Sequence, residues 1–137
     1  MLVCGVIPAR LESSRLPRKL LLNETGKSLI QHTWEAAASS EKLDRLIVAS
    51  DSLEILEVVH GFGGKAFLTG EHPSGTDRIA EVAVKELFDA EILVNIQGDE
   101  PEISPQSIDQ LIELLIQTPN ADMATLATPI RDLEQLQ

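Results

Sequence analysis

Short, nearly continuous apolar runs at residues 2–7, 45–49, 65–68, 91–96 and 122–126 recur along the chain, each followed by a polar or turn-forming segment. Such runs suit strands covered on both faces. The stretches between them have helical spacing: Leu29, Ile30, Thr33, Trp34 and Ala37 in 28–39, Leu53, Leu56 and Val59 in 53–60, and Ile79, Ala80, Val82, Ala83 and Leu87 in 77–88. Ser104 is a favourable N-cap with Pro105 at the first helical position, which starts a helix reaching about Gln117. Strands alternating with helices predict a three-layer α/β/α sandwich on a mostly parallel sheet. Right-handed crossovers then bring every strand-to-helix loop to one edge of the sheet, where open α/β sheets take their ligands.

The 137 residues are enough for one domain with a real core, and no repeat, low-complexity segment or linker divides them. Residues 23–27 read as a turn in which Gly26 can take positive φ. The last expected strand passes into residues 131–137 with no closing helix cap, which reads as a chain interrupted mid-fold, with a short frayed tail as the alternative. A sheet left incomplete there would expose an edge and favour self-association.

The net charge of −11 leaves no broad basic face, which argues against nucleic acid as a partner. The single Cys4 has no partner for a disulfide and falls in an expected buried strand, where it reads as a small core residue. Neither a signal h-region with its basic flank nor a run of ~18 apolar residues is present, so a cytoplasmic protein without membrane contact is expected.

Against this acidic background, the loop PARLESSRLPRK, residues 8–19, sets Arg10, Arg15, Arg18 and Lys19 against one acid, Glu12. Arginine forks and a lysine point charge at the carboxyl end of a strand suit phosphate oxygens, and a nucleoside triphosphate is the polyanion expected there. The loop has neither the GxxxxGK[ST] nor the GxGxxG pattern, which sets aside P-loop and dinucleotide folds. A second loop, 97–101, places Asp99 directly after a strand, with Gly98 allowing close backbone approach. One carboxylate so placed can hold Mg²⁺ while phosphates and water complete its shell. The third loop, 69–76, leads into HPSGTDRIAE, with Ser74, Thr76 and Arg78 around Gly75. Its N–H groups can meet a base edge or a phosphate, and an ordinary cap by Ser74 or Thr76 explains it equally well. His72 in that loop has no assigned role, while His32, His60 and Trp34 read as helix surface or packing residues.

Together and in this order, IPARLESSRLPRK, HPSGTDRIAE and NIQGDEP resemble the signatures of the 3-deoxy-manno-octulosonate cytidylyltransferase (CMP-Kdo synthetase) family. The resemblance extends over essentially the whole chain, including VASD around Asp51 and MATLATPI near the end. It implies a fold of the nucleotide-diphospho-sugar transferase type. It also implies a reaction in which CTP and the acid sugar Kdo give CMP-Kdo and pyrophosphate, with Mg²⁺, for lipopolysaccharide biosynthesis. Carried onto this chain, it implies that Arg10, Arg15 and Lys19 hold the triphosphate and that Pro8 and Ala9 approach the nucleotide through their backbone. Ser74, Gly75 and Arg78 would contact the cytidine or line its pocket, Gln97 would add a polar contact, and Asp99 would ligate the metal.

Two departures stand out. Arg18 replaces the glycine usual between the proline and lysine of the first motif. The family's chain is also nearly twice as long, and its second half carries another metal-binding aspartate, much of the sugar pocket and the surface of the implied homodimer. Activation of a sialic-acid-type sugar is the alternative within the same chemistry, against which ESSRL speaks, since those enzymes resemble GGSKG there. A truncated, non-catalytic nucleotide-binding module is the alternative outside it.

Overall fold

A computed structural model of the chain describes residues 2–10, 21, 26–87, 89–98 and 103–118. The order of elements is β1 (Val3–Ala9), α1 (Leu29–Ala38), β2 (Arg45–Ser50), α2 (Leu53–Gly61), β3 (Ala66–Leu68), α3 (Gly75–Lys85), β4 (Ile92–Asn95) and α4 (Pro105–Gln117). The four strands form one sheet in the order β3-β2-β1-β4, with every neighbouring pair parallel. The expected strand at 122–126 and the tail beyond it lie outside the described residues.

Every residue of β1 is buried, and its side chains alternate between two cores. Val3, Ile7 and Ala9 pack with Ile30 and Ala37 of α1, Ile55 and Val59 of α2, and Ile108 and Ile112 of α4. Cys4 and Val6 point the other way, toward Ile79 and Val82 of α3. These two cores make the three layers expected from the sequence. Burial raises the pKa of the Cys4 thiol, as befits a packing residue.

β1 runs on through Pro8 to Ala9, beyond the end expected at Ile7. The carbonyls of Leu2 and Val6 accept from Glu91 and Ile96 on the β4 side at 2.9 and 3.0 Å. The two-residue alternation turns Pro8 to that same side. Pairing with β4 ends at Val6 opposite Asn95, whereas pairing with β2 continues to Ala9 opposite Ser50. The missing N–H of proline therefore falls where no ladder partner stands.

All four described helices are capped by serine: Ser28, Ser52, Ser74 and Ser104 accept from the backbone N–H groups of Gln31, Ile55, Asp77 and Ser107 at 3.2–3.3 Å. In α3 the earlier of the two candidate caps is used, so the helix begins at Gly75 and not at Asp77 as the apolar spacing suggests. Gly26 does take positive φ, at 88°. Among the described residues no helix is long and apolar enough to cross a membrane.

Asp109 of α4 fastens the turn between α1 and β2. Its carboxylate accepts from the Ser40 hydroxyl and from the N–H groups of Lys42 and Glu41 at 3.0 and 3.2 Å. Burial works against the charged form, yet these hydrogen bonds prevail and hold the carboxyl below its usual range. Asp109→Ala is expected to lower unfolding stability by about 1–3 kcal/mol, because several donors lose one acceptor together. A urea midpoint equal to that of the unsubstituted chain would contradict this.

Candidate functional site

At the carboxyl edge of the sheet lies a cleft of about 220 Å³, lined by Pro8, Ala9 and Arg10 from the end of β1, His72 to Gly75 and Arg78 from the start of α3, and Gln97 after β4. From β1 the chain builds outward through β2 to β3, then returns to place β4 on the other side of β1. The cleft therefore adjoins the switch point of strand order. Pro8, Ala9, Arg10, Ser74, Gly75, Arg78 and Gln97, separately singled out in the sequence, meet here. Arg15, Lys19 and Asp99 lie outside the described residues. A wider hollow of about 510 Å³, with Trp34, Arg45, Lys65 and Glu86 in its lining, opens at the amino edge, away from these loops.

Arg78 forms the buried part of the cleft wall, with a side chain only 5% exposed. Its Nε donates to Thr69 Oγ1 at 3.0 Å, its Nη1 to the Ala9 carbonyl at 3.1 Å, and its Nη2 lies 3.4 Å from Asp51 Oδ2. One guanidinium thus ties together the ends of β1, β2 and β3. Two of its five N–H bonds are assigned to Thr69 and Ala9, with Asp51 as an ion-pair neighbour, which leaves capacity for a ligand group.

Gly75 permits the close approach of α3 to β1. A Cβ at this position would stand 3.1 Å from Pro8 Cγ, tighter than ordinary van der Waals contact. The Ser74 hydroxyl accepts from Asp77 N–H at 3.2 Å and donates to Asp77 Oδ2 at 2.9 Å. The simple capping role therefore accounts for that hydroxyl, and Ser74 faces the cleft as part of a helix start.

Two further anchors hold the cleft loops. Glu81 accepts from Gly70 N–H at 3.0 Å and from His72 Nε2 at 2.9 Å, while Lys85 Nζ donates to its second oxygen at 3.2 Å. These hydrogen bonds, led by that of Gly70, hold the Glu81 pKa at about 2. On the opposite side, the buried Thr33 hydroxyl of α1 donates to the Gly98 carbonyl at 2.8 Å, which anchors the segment after β4. Gln97 Nε2 donates to Asn95 Oδ1 at 3.2 Å, leaving its own carbonyl oxygen for other partners.

Thr33, Asp51, Thr69 and Glu81 were not among the residues that the sequence marked for the site. Asp51 follows an apolar run and could have been read as an acid at a strand end. Glu81 precedes Lys85 by one helical turn and reads as an ordinary surface pair. Thr33 and Thr69 gave no local signal, because their partners are brought to them by the fold.

Arg78→Met leaves the Ala9 carbonyl, the Thr69 hydroxyl and the Asp51 carboxylate without their shared donor. It is expected to cost about 3 kcal/mol in unfolding stability, read from a urea titration, and an unchanged midpoint would contradict the clamp. Glu81 gives a pH signature. Its folded pKa of about 2 lies below the ordinary 4.5, so its stabilisation is full above the ordinary value and is lost as pH falls toward 2. Glu81→Gln should flatten that part of the acid limb, and a limb of unchanged slope would contradict the assignment.

The family profile described as Cytidylyltransferase matches residues 4–137. Among curated relatives, the 3-deoxy-manno-octulosonate cytidylyltransferase of Rhodopirellula baltica is 53% identical over 133 residues, spanning 96% of this chain and 53% of the relative. The protein of the same name from Syntrophobacter fumaroxidans is 49% identical over 136 residues, spanning 98% of this chain and 54% of the relative. The chain thus spans about half the length of these relatives. The solved structure of a CMP:2-keto-3-deoxy-manno-octonic acid synthetase complexed with CTP is 42% identical, with a TM-score of 0.83 over 88% of this chain and 49% of that one. A 4-diphosphocytidyl-2C-methyl-D-erythritol synthase, 18% identical, shares the fold with a TM-score of 0.74 over 96% of this chain and 62% of its own. With the family profile matched almost from end to end, the chain belongs to the cytidylyltransferase family.

Proposed function

We propose that the chain is the nucleotide-binding portion of a 3-deoxy-manno-octulosonate cytidylyltransferase, which transfers CMP from CTP to Kdo and releases pyrophosphate. The observation that carries this reading is the likeness, at 42–53% identity, to curated proteins of that name and to a synthetase structure complexed with CTP. The convergence of the nominated loops on one cleft supports it further. The product's place would be lipopolysaccharide biosynthesis, and the compartment the cytoplasm.

In the reaction, the anomeric hydroxyl oxygen of Kdo forms a bond to the α-phosphorus of CTP. The bond from that phosphorus to the bridging oxygen breaks, pyrophosphate leaves with its electron pair, and the hydroxyl proton passes to solvent. The protein's task is positioning and charge. Arg10 in the cleft, together with Arg15 and Lys19, would hold the triphosphate and offset charge that develops on the leaving group. Pro8 and Ala9 would face the nucleotide through their backbone, beside Ser74, Gly75 and Arg78. Gln97 would offer its free carbonyl oxygen as a polar contact.

The donor chemistry fits Mg²⁺, which is commonly held by one or two carboxylates together with substrate phosphates and water. Asp99 would be the protein ligand, next in sequence to Gly98, whose carbonyl Thr33 holds. Bound there, the ion would supply electrophilic polarisation of the phosphoryl oxygens.

The test is pyrophosphate release from CTP and Mg²⁺, with and without Kdo. We expect Kdo-dependent release that Asp99→Ala reduces by about a hundredfold or more. Release that ignores Kdo, or that survives the substitution, would overturn the proposal. Binding of CTP that Arg15→Ala weakens, with no release, would instead identify a non-catalytic nucleotide-binding unit.

A further inference from the structure

We infer that His72 is a nucleoside-contacting residue of the cleft and that Glu81 is its positioning residue, an assignment that rests on the nucleotide reading above. His72 lines the cleft with a side chain 21% exposed, so its ring is packed into the wall but still reachable. Its Nε2 lies 2.9 Å from Glu81 Oε1. An ionised carboxylate only accepts, so Nε2 carries the proton and Nδ1 is the ring nitrogen left for a ligand. In the neutral ring Nδ1 is an acceptor. Its matching partner is a donor on the nucleoside, either the exocyclic amino group of cytosine or a ribose hydroxyl.

Glu81 is itself immobilised. Gly70 N–H and the Lys85 ammonium bind it from two directions, at 3.0 and 3.2 Å, and its backbone belongs to α3. The imidazole is therefore fixed to the same helix that carries Gly75 and Arg78. The low pKa of Glu81 keeps the acceptor ionised through the neutral range. Such a connection through a carboxylate aims a histidine ring by setting both its orientation and its tautomer.

The size of the cleft and the chemistry of the ring assign a nucleoside to this wall. The volume of about 220 Å³ falls below the roughly 300–1,000 Å³ of sites that enclose a whole drug-sized ligand, so it suits part of a nucleotide. Ionised phosphate oxygens only accept, so an acceptor Nδ1 is matched by a nucleoside donor and not by the phosphates.

The test measures equilibrium binding of CTP, UTP and inorganic tripolyphosphate to the full chain and its variants. His72→Ala is expected to weaken CTP binding by about tenfold, the scale of one lost hydrogen bond, and to leave tripolyphosphate binding unchanged. Glu81→Ala should weaken CTP similarly, whereas Glu81→Gln, which keeps an acceptor for Nε2, should restore most of the affinity. Loss confined to CTP assigns the contact to the amino group of cytosine, and loss shared with UTP assigns it to the ribose. The chain has three histidines, and among their ring resonances only those of His72 should move directly with CTP saturation. CTP affinity within about twofold of the parent in His72→Ala, or a parallel loss for tripolyphosphate, would overturn the inference. If the unsubstituted chain binds tripolyphosphate but not CTP, the nucleotide reading falls and the inference with it. Strong CTP binding that is indifferent to His72 removes the inference alone.

Discussion

Three parallel strands end beside one another only if something compensates the polar groups that their ladders leave behind. In this fold that compensation centres on Arg78, a buried guanidinium bonded to the Ala9 carbonyl, the Thr69 hydroxyl and the Asp51 carboxylate. Taking an arginine out of water is costly unless it is paired and hydrogen-bonded, and here each partner comes from the end of a different strand. The same side chain lines the cleft. Assembly of the sheet edge and formation of the site are therefore one structural event.

The surrounding contacts extend that logic. Gly75 lets α3 approach Pro8 without a clashing Cβ, and Pro8 is tolerated because its β4 flank has run out of ladder. Glu81 draws the 70–72 loop onto α3, while Thr33 reaches across from α1 to the Gly98 carbonyl. Both anchors act on loops that border the cleft, and both begin from helices packed firmly in the two cores. The loops are thus held by the scaffold rather than by one another. Such preorganisation is what transfer chemistry dominated by positioning and charge requires.

Much of this was legible in the residues. Apolar runs alternating with helical spacing gave the layers and the parallel sheet, and Ser104 with Pro105 gave the start of α4. The loops at residues 8, 74 and 97 announced themselves through charge, glycine and position after strands. What stayed hidden depended on tertiary partners. The spacing of α3 did not reveal that Ser74 would cap it ahead of Thr76. Arg78 looked available to a ligand, yet most of its bonding is to Thr69, Asp51 and Ala9, which only the crossovers bring together. Pro8 looked like a strand terminator because the flank facing β4 cannot be seen in a single strand. Glu81 carried no site signal of its own because its contacts with Gly70 and His72 arise from a loop that folds back.

The central claim is that the carboxyl edge of the sheet, organised around Arg78, is where the nucleotide binds. Amide hydrogen exchange of the full chain, with and without saturating CTP, tests it most directly. The account predicts slowed exchange at residues 9–10, 74–78 and 97–98, and no change around the amino-edge hollow formed by Arg45 and Lys65. Protection at that hollow, with the carboxyl edge unaltered, would contradict it.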